Sequence, residues 1–131
     1  MYKVPEPEEL SNFDIRDFIV PPLEKYIDRR GYIYILYDRM FPTFIKVGRT
    51  NDVYKRLLQY NSDKPFPTAK MLYVSKMFEN ANEAEKKILD YMYNKTTPST
   101  LTREWFHIKY LDILKEIIEK AENVLPTYEK S

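Results

Sequence analysis

The chain has 131 residues, 44% of them hydrophobic, which is material for one domain with one core and excludes a disordered segment. Its 21 basic and 20 acidic residues leave a formal net charge of +1, so contact with nucleic acid requires a local patch and not bulk charge. Cysteine is absent, which excludes disulfides and thiolate metal sites, and no apolar window reaches the roughly eighteen residues of a membrane-spanning helix.

The start, Met1-Tyr2-Lys3-Val4-Pro5-Glu6, lacks the apolar run of a signal peptide; with the missing cysteine this predicts an intracellular, cytoplasmic protein. Residues 1–30 read as an N-terminal arm. Pro5, Pro7, Pro21 and Pro22 interrupt it, and Pro21-Pro22 can open a short helix through Arg29. The main domain is expected over 31–125. Gly31 precedes Tyr32 to Tyr37, an aromatic and β-branched strand. A turn over Asp38 to Pro42 returns the chain into a second strand, Thr43 to Val47, which Gly48 is expected to end. A helix follows from about Asn51 to Asn61, with Asn51 as candidate cap and Asp52 in the first turn. Pro65 and Pro67 mark a loop before a third strand, Lys70 to Phe78. Asn80 or Asn82 opens a helix to Lys95, and a polar loop surrounds Pro98. Trp105 to Ile108 reads as a short strand and Tyr110 to Asn123 as an amphipathic helix with Leu111, Leu114, Ile117, Ile118 and Ala121 on one face. The tail, 126–131, is expected to fray. This order implies an α+β fold, a small central antiparallel sheet flanked by helices.

Glu85 is the most informative single residue. At 100° per residue, Ala81, Ala84, Ile88, Leu89 and Met92 share one helix face, and Glu85 falls inside that stripe. A carboxylate there must be paired, protonated or bound to metal, because an isolated buried charge is costly. Two readings stand side by side: a metal ligand, or a structural ion pair with an Arg or Lys of the sheet. Arg56 borders the stripe of Val53, Leu57 and Leu58, with Tyr60 one turn later, and its planar fork suits a phosphate. Lys46, Arg49 and Lys55 add positive charge near the start of the same helix, a second feature suited to anions. His107 is the only histidine, so it reads as structural, and Trp105 and Phe106 read as core anchors. Two glycines cannot form a nucleotide-binding loop.

These segments resemble the GIY-YIG nuclease superfamily. The resemblance rests on Tyr32-Ile33-Tyr34-Ile35-Leu36-Tyr37-Asp38, then Phe44-Ile45-Lys46-Val47-Gly48-Arg49-Thr50, then Lys55-Arg56-Leu57-Leu58-Gln59-Tyr60. The chain looks closest to the phage and large-DNA-virus branch, which has Lys before the second glycine motif and a Glu-Trp-Phe element, here Glu104-Trp105-Phe106. The likeness covers about 31–108. It implies a metal-dependent endonuclease that hydrolyses phosphodiester bonds, acting on DNA in preference to RNA, in the host cytoplasm if the source is viral. By the same likeness Tyr34 positions or deprotonates the attacking water, Gly48 is the motif glycine, Arg56 holds the scissile phosphate, Tyr60 assists, and Glu85 binds one Mg²⁺, with Mn²⁺ as substitute. Two positions depart from the pattern: Tyr32 replaces the first glycine, and Lys46 replaces the second tyrosine. Lys46 then either transfers a proton or holds the phosphate, and the general base lies among Tyr34, Lys46 and Tyr60. Tyr34 is favoured, because a tyrosine near a metal and two cations ionises more easily. One carboxylate implies one strand cut per encounter, so double-strand cleavage calls for a homodimer or a reorientation. The competing readings are a nucleic-acid-binding module without cleavage and a protein-interaction domain on the same scaffold.

Overall fold

Tyr32-Ile33-Tyr34-Ile35-Leu36-Tyr37 has a β-branched, aromatic or leucine side chain at every position, and it forms strand β1, Tyr32–Asp38. Both its faces are buried, as befits an inner strand. The computed structural model describes residues 28–95 and 104–128; the expected arm up to residue 27, the loop around Pro98 and residues 129–131 lie outside them. Antiparallel strands flank β1. One is β2, Phe44–Thr50, and the other is β3, Ala69–Val74. With β5, Trp105–His107, beyond β2, the sheet order is β3-β1-β2-β5.

The helices cover the sheet as the apolar patterns require. Helix α1 is Val53–Asn61, α2 is Ala81–Lys95 and α3 is Leu111–Val124. On one face Ile33, Ile35, Ile45 and Val47 form a core with Ala84, Ile88 and Met92 of α2 and Leu114 and Ile118 of α3. On the other, Tyr34 and Leu36 meet Leu57 and Tyr60 of α1. Strand alternation sends neighbouring residues of β1 to opposite layers, so Tyr34 faces α1 while Ile33 and Ile35 face α2 and α3. Tyr73 ties β3 to α3 by donating its hydroxyl to Glu122 at 3.0 Å. Among the described residues no helix is long and apolar enough to cross a membrane.

Several boundaries differ from the sequence-based expectation. Gly48 does not end β2; it lies inside the strand, directly opposite Tyr34, and pairing continues to Tyr32↔Thr50. Asp52, not Asn51, caps α1, accepting from the Lys55 amide at 3.0 Å. Leu58 is turned out to solvent at 52% exposure, so it leaves the expected stripe. The third strand splits. The Ser75 hydroxyl accepts the Ile33 amide at 2.9 Å and donates to the Lys76 carbonyl at 2.6 Å, so a side chain takes the place of a ladder partner. Met77–Phe78 then becomes a separate strand, β4, paired with β6, Thr127–Tyr128. Two residues of the expected tail thus form a strand, and the tail beyond Tyr128 lies outside the described residues. His107 is exposed rather than half-buried; its Nδ1 accepts the Lys109 amide at 3.0 Å and caps a 3-10 turn, Ile108–Tyr110, that leads into α3.

Strand β5 pairs with Phe44 to Lys46, and the Glu104 carbonyl accepts the Val47 amide at 2.9 Å. Its described part ends there, beside the Gly48–Thr50 end of β2.

Candidate active site

Beside this end of β2 a cavity of about 390 Å³ is lined by Tyr34, Lys46, Gly48, Arg49, Arg56, Glu85 and Glu104, with Asp28, Arg29 and Arg30 at its rim. Gly48 makes room for it. A Cβ there would lie 2.5 Å from Tyr34 Cζ and 3.0 Å from Cε1, so only glycine lets the tyrosine ring lie across the strand.

The Tyr34 hydroxyl reaches Tyr60 at 3.2 Å, and either can donate. Lys46 Nζ donates to the Tyr60 hydroxyl at 2.5 Å and lies 3.5 Å from Glu104 Oε2. It also sits 4.9 Å from the Tyr60 ring centroid and 5.9 Å from that of Trp105, so two aromatic rings and a carboxylate hold the ammonium in place. The result is a connected polar chain, Tyr34–Tyr60–Lys46–Glu104, with Tyr34 and Glu104 both lining the cavity. Burial first, and then the hydrogen bond with Tyr60, push the Tyr34 hydroxyl well above the ordinary tyrosine range. With no metal beside it, desolvation of Tyr34 outweighs the attraction of the Arg56 charge; the expected easier ionisation belongs to a Tyr34 beside a bound metal.

Glu85 enters from the opposite layer. It is 8% exposed, and Arg49 Nη1 donates to its Oε1 at 2.8 Å. Burial raises its pKa above the usual carboxylate value, the Arg49 charge opposes that, and the Glu104 charge adds to it. Arg49, expected among the phosphate contacts, lines the cavity with its Nη1 paired to Glu85 and its side chain 45% exposed. Arg56 differs: it also lines the cavity, but no carboxylate among the described residues pairs with it. Lys55 is exposed and stands outside the cavity, contributing its backbone amide to the α1 cap. Phe106 is a core residue, 2% exposed and 6.1 Å from the Tyr93 ring; Trp105 is half-buried beside Lys46. Glu104 had been noted only as part of a motif. Its role as partner of Lys46 emerges from the β2–β5 pairing, which no local pattern displays.

A divalent cation fits this donor set in one way. Among the described residues no three His, Asp or Glu side chains cluster as ligands. A cation at Glu85 would take one carboxylate and draw its remaining ligands from water and phosphate. Mg²⁺ accepts that arrangement, since it keeps several waters and binds beside substrate phosphates.

Comparison with known protein families adds one finding. The T5orf172 domain model matches residues 31–122. The chain belongs to the T5orf172 domain family. That family is associated with nuclease-type domains of the GIY-YIG kind, and the matched T5orf172 segment contains every residue of the cavity except the rim residues 28–30. No curated protein and no solved structure gives a significant match to the chain.

Proposed function

We propose that this T5orf172 domain is a metal-dependent endonuclease that hydrolyses phosphodiester bonds in nucleic acid, DNA by preference. The observation that carries the reading is the convergence, on one cavity, of a buried carboxylate from α2, a guanidinium from α1 that no carboxylate among the described residues pairs with, and a hydroxyl–ammonium chain anchored on β1 and β2. A buried carboxylate with a raised pKa in a cleft is a mark of a functional site.

In this reading Glu85 holds one Mg²⁺ or Mn²⁺, which when bound neutralises charge on the phosphate and on the leaving oxygen. Arg56 donates to a non-bridging phosphate oxygen and stabilises the charge that builds there. Tyr34 orients the attacking water. Lys46 hands a proton to Glu104 across their ion pair and receives one from Tyr60. Tyr60 is replenished by Tyr34, and Tyr34 by the water. Each hydroxyl and the ammonium end with the protons they began with, and Glu104 gains the one the water loses. Tyr34 never needs to carry a charge, which agrees with its raised pKa.

The competing reading, a binding module without cleavage, draws on the Arg49–Glu85 pair, which gives the buried carboxylate a structural partner. Incubation with supercoiled plasmid separates the two. Nicking in Mg²⁺ that stops in EDTA is the expected result. Binding of the plasmid with no nicking in Mg²⁺ or Mn²⁺ would leave only the binding module.

A further inference from the structure

We infer that the cavity is fed by unpaired nucleic acid, and that Phe41 beside Trp105 is the platform on which a base next to the scissile phosphate stacks. The inference rests on the nuclease reading and adds the substrate class. Its basis is the sheet face beyond the cavity. Lys46 lies opposite Trp105 and Phe44 opposite His107, so these four side chains share one face of β2 and β5. Helix α1 packs over Tyr34, Leu36 and β3, its Tyr60 reaches Lys46 on this face, and Trp105 sits at the edge of the same cluster.

From the turn after β1, the Phe41 ring meets Trp105 edge-on, at 6.0 Å and 71°. It is nevertheless 52% exposed. Trp105 thus braces Phe41 from the protein side. On its other flank Trp105 adjoins Lys46, which lines the cavity. An unbroken path therefore runs from the proposed phosphate site through Lys46 and Trp105 to an exposed aromatic ring. Arg39, exposed two residues before Phe41, adds positive charge at that end. Cations beside an exposed aromatic ring are how proteins hold single strands, because every base has a stacking face. Bases inside a duplex have spent that face on each other, so a braced, exposed ring serves only an unstacked base.

The chain has one tryptophan, so intrinsic tryptophan fluorescence reports on Trp105 alone. Glu85→Gln protein, in Mg²⁺, is titrated with a short oligothymidylate and with a blunt duplex of equal length. The oligothymidylate should change the emission and bind at least about tenfold more tightly than the duplex, the gain typical of one stacked base. Phe41→Ala and Phe41→Leu, each checked by thermal melting, should lose that preference, and Phe41→Tyr should keep it. Equal affinity for the two nucleic acids, or unchanged oligothymidylate binding by both Phe41→Ala and Phe41→Leu, would overturn the stacking platform. Plasmid nicking by the wild-type chain would still uphold the nuclease reading in that case. Failure to bind either nucleic acid at low salt, with no nicking, would remove both.

Discussion

Glu85 sits in the buried stripe of α2 with Ile88 and Met92, and Arg49 is its one ion-pair partner among the described residues. Its raised pKa means that folding favours the protonated form. The sign follows from linkage. Below the ordinary value of 4.5 the group is protonated in both states, and stability is at its highest for this group. As pH rises from 4.5 through the raised folded value, that contribution is lost. Glu85→Gln mimics the protonated form, so in EDTA at neutral pH it should melt higher than wild type, and the difference should vanish on acidification. Melting curves across that interval check this; a variant that melts lower at neutral pH would show that the Arg49 pair outweighs burial. Tyr34 gives the second test. It alone of the three hydroxyl and ammonium groups is expected to touch the water. All three variants break the relay, but Tyr34→Phe also removes the contact that orients the water, so it should cost more in single-turnover rate than Tyr60→Phe or Lys46→Met, about a hundredfold or more. Near-wild-type turnover of Tyr34→Phe, with Lys46→Met most impaired, would transfer the proton step to Lys46.

Among the elements, β2 and α2 show what sequence reading reaches and where it stops. The α2 wheel placed Ala81, Ala84, Ile88 and Met92 inside and singled out Glu85, because a helix repeats its faces at a fixed angle and a charge among apolar residues stands out. Strand β2 was cut short at Gly48, since glycine reads as a terminator when its neighbours in space are unknown. The reason for the glycine is a ring on another strand. Gly48→Ala should destabilise the fold by about 2 kcal/mol through overpacking against Tyr34. The same substitution in a Tyr34→Ala background should cost clearly less, and a thermodynamic cycle from denaturant melts measures the difference. Additive costs would mean that the ring is not what the glycine accommodates. Ser75 as strand breaker was hidden for a similar reason, its bond to the Ile33 amide being tertiary, whereas Asp52 as cap is set by a local bond to the Lys55 amide that neighbouring Asn51 was equally suited to make.

Across the whole molecule, the antiparallel α+β architecture was legible because strand and helix periodicities alternate cleanly along the chain. The site was legible in part. Tyr34, Lys46, Arg49, Arg56, Tyr60 and Glu85 do come together, with Arg49 paired to Glu85, whereas Lys55 stays outside. Such pairings depend on sheet order, β3-β1-β2-β5, which brings residues from both layers to one cavity. With a net charge of +1, binding should rest on the few cavity cations. The salt dependence of DNA affinity should be shallow, a log–log slope between about −2 and −4, and Arg56→Ala should reduce its magnitude by about one. The same variant should lower turnover by at least about tenfold, while Lys87→Ala, on the solvent side of α2 and paired with Glu83, should change little. Equal losses from the two would point to bulk charge.

The central claim is that Glu85 serves the chemistry and not the fold. Single-turnover cleavage of supercoiled plasmid in Mg²⁺, with wild-type and Glu85→Gln protein side by side, tests it most directly. The account predicts a folded variant, at least as heat-stable as wild type in EDTA, that cuts no plasmid. Cleavage by Glu85→Gln at the wild-type rate would contradict it.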